Sequence, residues 1–436
     1  MTFDEAVKYL LGLGHETLAV KLGLASVRRL LSALSHPENS FPSVQIAGTN
    51  GKGSTAATLD AACRAASIKA GLYTSPHLAS ITERVKIGGR EIGRADFARH
   101  ASAVREAAAG LRDGAGALPS FFEQVTAIAL CAFRDARVEL AILETGMGGR
   151  LDATTAALAR VVAVTPVALD HQEYLGETLP EIAAEKAAII RAGVEAVVSP
   201  SQPAEALAVI LARCRETGVA PRFATEDISV EGATEDGRLR ATFRTARDSY
   251  EGVTLALRGR HQLANAATAI ALAEALRSRG FERITRESII EGLSTAQHPG
   301  RLELVAADPP LLLDGAHNPA GALALRDYLS EFARQPVTMI FGAMRDKDLA
   351  EIAAALFPAA RRLILTPINN PRAAAPDALR AFAPASLDPA RVFLAESSAD
   401  ALRLARELTP PGGLACVTGS LYLVGEVKRL LVGGAA

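Results

Sequence analysis

The order of apolar runs predicts an α/β protein built as two domains. Three observations carry this. Short buried strands alternate with helical stretches in both halves of the chain, the pattern of a mostly parallel sheet covered by helices. At 436 residues the chain exceeds one ordinary core. Near residue 225 the alternation breaks into three short runs separated by Gly- and Asp-containing turns, as in a small antiparallel sheet.

The elements follow in order. Residues 2–36 read as helices, with apolar positions at helical spacing through Phe3, Val7, Leu10 and Leu11, and again from Leu22 to Leu34. Ser43 to Ala47 is a strand feeding a glycine-rich loop. From Ser54 a helix is expected to run to a close at Gly71. Gly110 to Pro119 reads as a flexible surface loop. Leu140–Leu143 ending at Glu144, Val161–Val164 and Ala196–Ser199 are further strands, and residues 179–191 a helix. ISVEG, LRATFR and VTLALRG form the small sheet, and a helix runs from Gln262 to Arg277. Gln297 to Arg301 reads as a linker. The runs LLLDGAHN, VTMIFGAM, RLILTP, RVFLA and ACVTGS then make a second α/β series. The expected domains are therefore 1–297 and 298–436.

Composition narrows the class. Basic and acidic residues number 47 and 48, so no basic face for nucleic acid is expected. The four cysteines contain no C-x-x-C pair and read as buried apolar residues of a reducing compartment. The start MTFDEAVKYLLGLG has no basic n-region with a long apolar stretch behind it, and no run approaches the ~20 residues that span a bilayer. A cytoplasmic protein with no membrane contact is expected.

The strongest chemical signal is Gly48-Thr49-Asn50-Gly51-Lys52-Gly53-Ser54-Thr55, between a strand and a helix. Glycines let backbone N–H groups turn inward on phosphate oxygens, and the helix N-terminus adds positive potential. Lys52 supplies a full charge for the β- and γ-phosphates, and the Ser54 hydroxyl suits Mg²⁺. The spacing departs from the common G-x-x-x-x-G-K-[ST], with a glycine between lysine and serine. Glu144, at a strand's carboxyl end and followed by TGMGGRLDAT, reads as an oxygen ligand for Mg²⁺. His171, beside Asp170 just past another strand end, reads as a candidate metal ligand. Lys186 in EIAAEKAAII reads, on spacing alone, as a solvated surface lysine.

In the second half, Asp314 and His317 stand three residues apart at a strand end, suited to orienting a substrate or moving a proton. Arg301, after Pro299-Gly300, is read evenly as a phosphate-reaching arginine or as an interdomain ion-pair residue. Asp346-Lys347-Asp348 reads as a charged turn.

Taken together, AGTNGKGST, LYTSPHLASITERV, LETGMGGRLDAT, VALDHQEYLG, EKAAII, HPGRLE, LDGAHNP, GAMRDKD and VTGSLYLVG resemble the dihydrofolate synthase/folylpolyglutamate synthase family within the Mur-ligase group. They occur in that family's order from residue 47 to 425. The resemblance implies a P-loop Mur-ligase-type domain, a C-terminal Rossmann-like domain, and ATP and metal at their interface. It assigns Lys52 to the phosphates, and Ser54, Ser75, Glu144 and His171 to one or two Mg²⁺ ions. It lifts Lys186 from the surface reading, because the matching lysine in the family is carbamylated. It places Asn265, Arg301 and Asp314 at the nucleotide, His317 and Ser420 near the incoming glutamate, and Phe122 and Asp152 at the pterin substrate. Thr155 stands where many relatives have Asn, keeping an oxygen but no amide.

The reaction so implied is attack of a substrate carboxylate on the γ-phosphate of ATP, then attack of the glutamate amine on the acyl phosphate. Lys52, Lys186, Asp314 and His317 are its candidate catalytic groups. SPHL and GGRLDAT look like the bifunctional bacterial type, acting on dihydropteroate and on reduced folates as a monomer. The alternatives are a monofunctional dihydrofolate synthase or folylpolyglutamate synthase, another Mur-type amino-acid ligase, and a P-loop kinase or nucleotide-binding module. The Mur-type alternative is disfavoured by the roughly forty residues ahead of the loop, too few for a further domain.

Overall fold

The computed structural model describes residues 1–14, 23–111, 118–333, 335–385 and 387–433. It divides into two compact units. Residues 1–228, 243–250 and 264–296 form the first, and residues 229–242, 251–263 and 297–436 the second.

The first unit is organised by an eight-stranded sheet. In chain order its strands are β1 (Ser43–Ala47), β2 (Ala70–Tyr73), β3 (Val85–Ile87), β4 (Arg90–Glu91), β5 (Leu140–Glu144), β6 (Val161–Val164), β7 (Glu195–Val198) and β8 (Pro221–Phe223). They lie in the order β4-β3-β2-β5-β1-β6-β7-β8. From β2 to β8 in that order the pairs are parallel, while β3 and β4 are antiparallel additions at one edge. Strands buried on both faces read as unbroken apolar runs, which is why LAIL and VVAV stand out in the sequence. One core packs helices Phe3–Leu11, Ala25–Ala33, Arg94–Ala109 and Phe121–Asp135 on the sheet, and another lies under Leu179–Ala187 and Ala204–Thr217.

Several boundaries differ from the expectation. The helix after the glycine-rich loop is Lys52–Ala65 and does not reach Gly71. Ser67 takes φ 54°, and Ile68 N–H bonds back to Cys63 O, which ends the helix early. Gly71 lies inside β2, where a Cβ would sit 2.6 Å from the Phe133 ring, so its smallness serves packing and not a cap. The helix expected over 179–191 stops at Ala187. Residues 15–22 and 112–117, within the helical stretch and the surface loop expected there, lie outside the described residues.

The three-stranded sheet has the order β11-β10-β9, with β9 Ile228–Ala233, β10 Leu239–Arg244 and β11 Ser249–Thr254. Bonds from Arg244 N to Asp227 O and from Thr234 N to Arg238 O join opposite strand ends, so the first pair is antiparallel. The third strand begins and ends earlier than VTLALRG suggests.

The second unit carries a six-stranded sheet in the order β12-β13-β17-β14-β15-β16. Its strands are β12 (Glu303–Val305), β13 (Leu311–Leu313), β14 (Val337–Phe341), β15 (Arg362–Leu365), β16 (Val392–Leu394) and β17 (Leu414–Thr418). All pairs are parallel except β12 with β13. The turn Thr234–Arg238 is fastened to helix Pro319–Phe332 in this unit. Tyr328 Oη donates to Asp236 O at 2.9 Å, and Gly237 leaves no room for a Cβ against the Tyr328 ring. Among the described residues no helix is long and apolar enough to cross a membrane, and the four cysteines are buried as free thiols.

Candidate active site

The glycine-rich loop follows β1, at the point where the strand order reverses: the chain goes from β1 to β2 on one side and later from β6 to β8 on the other. Ligands bind at the carboxyl ends of parallel strands at such a reversal. Two glycines make the loop possible. Gly48 has φ 148° and its Cβ would lie 1.9 Å from Thr165 Oγ1. Gly51 has φ 85° and its Cβ would lie 2.1 Å from Asn265 Oδ1, so Asn265 in helix Gln262–Ser278 is set directly against the loop. Thr49 and Asn50 N–H both donate to Pro166 O, and Thr49 Oγ1 bonds Ala168 O at 3.0 Å. The loop is thereby tied to the segment after β6. Lys52, Gly53 and Ser54 open the helix and lie at its positive end.

Two lysines converge on the loop. Lys52 Nζ donates to Gly48 O at 3.1 Å and to Thr49 O at 3.0 Å, while Lys186 Nζ donates to Gly48 O at 2.9 Å. The surface reading of Lys186 is corrected here: the residue is 3% exposed. Helical spacing could not show this, because the face it lies on is covered by tertiary packing. Burial pulls its ammonium down to about 7, and the Lys52 charge adds to the effect. At neutral pH a large fraction of Lys186 is therefore a neutral amine.

Three carboxyl-end positions surround the loop from neighbouring strands. Glu144 ends β5 and is 5% exposed, not a solvated strand end. Its Oε2 accepts the Ser75 N–H at 3.1 Å, which brings the loops after β2 and β5 together. His171, after β6, takes φ 53° and its N–H donates to Asp170 Oδ1 at 2.9 Å. It lies seven residues past the end of β6, as the N-cap of the short helix Gln172–Leu175, and a non-glycine residue held left-handed is the kind of backbone feature that clusters at functional sites. Two buried hydroxyls nearby, Thr55 Oγ1 and Thr145 Oγ1, have no partner among the described residues. Glycine-shaped space, a helix N-terminus, two amines, a carboxylate and orphaned hydroxyls together fit a nucleotide with its cation. Among the described residues no three His, Cys, Asp or Glu groups form a closed metal cage. Mg²⁺ suits such a setting, since it takes few protein ligands and keeps water and phosphate oxygens.

Phe122 and Asp152 lie beside this cluster. The Phe122 ring packs 6.0 Å from that of Tyr73 and covers Gly146, where a Cβ would meet it at 2.6 Å. Asp152 is buried, and its carboxylate accepts the N–H groups of Gly146, Met147 and Thr154 as well as the Thr154 hydroxyl. Burial raises its carboxyl above the usual range against those bonds. In this structure it shapes the 146–154 turn. Thr155 Oγ1 donates to Gly149 O and accepts from Gln45 Nε2, both at 2.6 Å. Glu83 and Arg84 went unread in the sequence, although both lie in a quoted stretch. Arg84 is 2% exposed and donates from Nε to His77 Nδ1 at 2.8 Å. A fully buried arginine leaves no mark in hydropathy patterning.

In the second unit Asp314 follows β13 and Ser420 follows β17, its parallel neighbour. Asp314 Oδ2 accepts Leu302 N–H and Oδ1 accepts Ala316 N–H, each at 2.9 Å. Burial pushes its carboxyl up, and Arg301 opposes this. Arg301 Nη1 donates to Gly315 O at 3.2 Å. His317 Nδ1 lies 2.7 Å from the same carbonyl, which can only accept, so Nδ1 carries a proton and donates it. Ser420 Oγ accepts Tyr422 N–H at 3.1 Å. Asp348 caps helix Leu349–Leu356 and Asp346 pairs with Arg372, as a charged turn would. Lys52, Ser54, Ser75, Phe122, Glu144, Asp152, His171, Lys186 and Asn265 thus belong to one unit, and Arg301, Asp314, His317 and Ser420 to the other.

These features define a P-loop nucleotide-binding protein with a second α/β unit. The Mur ligase middle domain matches residues 46–273, and the Mur ligase glutamate ligase domain matches residues 300–421. A probable bifunctional folylpolyglutamate synthase/dihydropteroate synthase of Halobacterium salinarum is 38% identical over 98% of this chain and 51% of its own length. The chain thus spans about half the length of that relative and of its Haloferax volcanii counterpart. The dihydrofolate synthase/folylpolyglutamate synthase of Bacillus subtilis is 32% identical over 96% of this chain and 97% of its own. Mycobacterium tuberculosis folylpolyglutamate synthase complexed with ADP superposes with a TM-score of 0.90, at 32% identity over 98% of both chains. A bifunctional folylpolyglutamate synthase/dihydrofolate synthase with Mn, AMPPNP and L-glutamate bound gives 0.84, at 30% identity over 99% and 98%. The chain belongs to the dihydrofolate synthase/folylpolyglutamate synthase family of Mur ligases.

Proposed function

We propose that the chain is an ATP-dependent ligase that joins L-glutamate to dihydropteroate and to reduced folates. The observation that carries this reading is the double lysine clasp on Gly48, with Asn265, Ser75 and Glu144 around it, in a chain that matches a Mur ligase glutamate ligase domain and superposes on a folylpolyglutamate synthase over 98% of both chains.

A carboxylate resists attack by an amine because oxide would have to leave. In the proposed route its oxygen attacks the γ-phosphorus of ATP, ADP departs, and an acyl phosphate results. The amine nitrogen of glutamate then attacks the acyl carbon and inorganic phosphate leaves. Lys52 offsets charge on the transferring phosphoryl group. Ser54, Ser75, Glu144 and His171 would hold Mg²⁺, which when bound neutralises phosphate charge and polarises the phosphoryl oxygens. Arg301, Asp314 and Asn265 serve the nucleotide. Ser420 orients the amino acid, and His317, whose Nδ1 is held as a donor, takes the proton from its ammonium group through Nε2. Phe122 offers a ring face to the pterin, and Asp152 holds the turn beneath it.

Lys186 fits carbamylation. Its neutral amine can attack carbon dioxide, giving a carbamate and releasing one proton. A neutral amine beside Lys52 then becomes an anion beside it, which the Lys52 ammonium attracts. Intact-mass measurement in bicarbonate, lost on Lys186→Met, tests this.

The mechanism is tested with an acceptor whose carboxylate carries heavy oxygen. One labelled oxygen per turnover should appear in inorganic phosphate. Unlabelled phosphate would rule out the acyl phosphate. Offering dihydropteroate and tetrahydrofolate in parallel decides between one acceptor and both.

A further inference from the structure

The segment after β2 is held in an unusual way. Glu83 Oε1 accepts the N–H groups of Ala79 and Ser80, at 2.8 and 2.7 Å, and its Oε2 accepts that of Leu78, at 2.8 Å. Three consecutive backbone amides thus converge on one carboxylate. The next residue works on the same stretch from its other end: Arg84 O accepts Thr74 N–H at 3.0 Å, and Arg84 Nε donates to His77 Nδ1. The Arg84 guanidinium is fixed in turn over the Phe121 ring, 5.4 Å from its centroid. Thr82, between Ile81 and Glu83 in the short helical turn Ile81–Arg84, bonds both Ser80 Oγ and Glu91 Oε2. These bonds tie residues 74–80 to residues 82–84, and a further bond leads elsewhere. That one is Ser75 N–H to Glu144 Oε2, at the cation end of the site.

We propose that Glu83 is a positioning residue for the cation site, acting by freezing the 74–80 loop so that Ser75 and Glu144 stay paired. The proposal rests on the assignment of Ser75 and Glu144 to the cation. An ionised carboxylate that accepts several N–H groups makes the strong, charge-assisted kind of bond, and three such bonds remove most of the freedom of the loop. Ser75 then needs no ordering when the ion arrives. Ligand-orienting partners of this kind are worth about 10–100-fold in metal affinity. Glu83 touches neither ion nor substrate in this account, so its loss weakens the ion without removing a ligand.

The test is Mn²⁺ binding to the whole chain, read by electron paramagnetic resonance with a non-hydrolysable ATP analogue present. Glu83→Gln keeps the size of the side chain but turns one acceptor oxygen into an NH₂ donor among N–H donors. It should weaken Mn²⁺ about tenfold or more, leave metal-free analogue affinity within about twofold, and speed amide exchange at Leu78, Ala79 and Ser80. Unchanged Mn²⁺ affinity in Glu83→Gln overturns the proposal. Glu144→Ala separates the two levels: if it too leaves Mn²⁺ unchanged, the cation assignment itself fails, whereas weakening by Glu144→Ala alone refutes only the role of Glu83. Should Glu83→Gln not fold, Glu83→Asp replaces it in the titration. In the unmodified chain, exchange at Leu78–Ser80 as fast as in an open loop overturns the proposal without any variant.

Discussion

The carboxyl ends of β1 and β13 each open onto a functional loop, and the two are built from opposite materials. The loop after β1 is made of glycines and cations. Gly48 and Gly51 remove side chains where Thr165 and Asn265 press in, and two lysines meet on one carbonyl. The loop after β13 is made around a carboxylate. Asp314 ties Leu302 and Ala316 through their amides, and Gly315 O gathers Arg301 and His317. The first arrangement suits polyanions, because it presents amides, a helix N-terminus and the Lys52 ammonium. The second fixes one imidazole, which suits moving a proton at an amine, and holds one guanidinium beside it. A ligase that activates an acid with ATP and then delivers an amine needs one of each.

If that division is right, damage to each loop should leave a different signature. Lys52→Ala should lower turnover by about 10³-fold with the fold intact by circular dichroism, at the upper end of what one preorganised donor at a reacting group supplies. Near-normal turnover would remove Lys52 from the chemistry. His317→Ala should lower turnover about 10²-fold, in the range of a lost general base, while nucleotide affinity stays unchanged in a direct binding assay. A loss of nucleotide binding instead would blur the division. Gly51→Ala should do the reverse. Its Cβ meets Asn265 Oδ1 at 2.1 Å and its φ is 85°, so nucleotide affinity should fall about tenfold through strain of roughly 1–3 kcal/mol.

Smaller effects sharpen the contrast. Asp314→Asn keeps one acceptor for two buried amides and should cost about 1–3 kcal/mol in denaturant unfolding. For Lys186 the sign is set by linkage. Its folded value, about 7, lies below the ordinary 10.5, so the unfolded chain holds the extra proton between those limits. Without bicarbonate, stability should therefore rise as pH goes from about 7 to about 10, and Lys186→Met should lose that slope. Equal slopes would mean that Lys186 is not buried as an amine.

The same contrast explains what could be read from residues alone. Gly48 to Thr55 was legible because its chemistry is local: strand, glycines, lysine and helix are contiguous. The strands β5, β6 and β13 were legible because strands buried on both faces read as unbroken apolar runs, and Glu144 marks where one of them ends. Asp314 and His317 were visible as a pair, but the shared carbonyl that holds the His317 ring is a matter of fold. Lys186 reads as solvated on spacing alone, since helical spacing does not reveal what covers a face; among the readings from residues the resemblance lifted it, and its burial bears this out. Gly71 was misread as a cap, because a glycine made necessary by the distant Phe133 ring looks the same as one made necessary by φ. Glu83 went unread although Ser80-Ile81-Thr82-Glu83 has the capping-box spacing, and its further bonds to Leu78 and Ala79 are backbone amides with no side-chain signature.

The central claim is the ligation itself, and product analysis tests it most directly. With dihydropteroate, L-glutamate and Mg-ATP, mass spectrometry should find the acceptor heavier by one glutamyl residue, with one ADP formed per product and none when either the acceptor or glutamate is left out. ADP released steadily without them, or a phosphorylated product with no glutamate attached, would contradict the account.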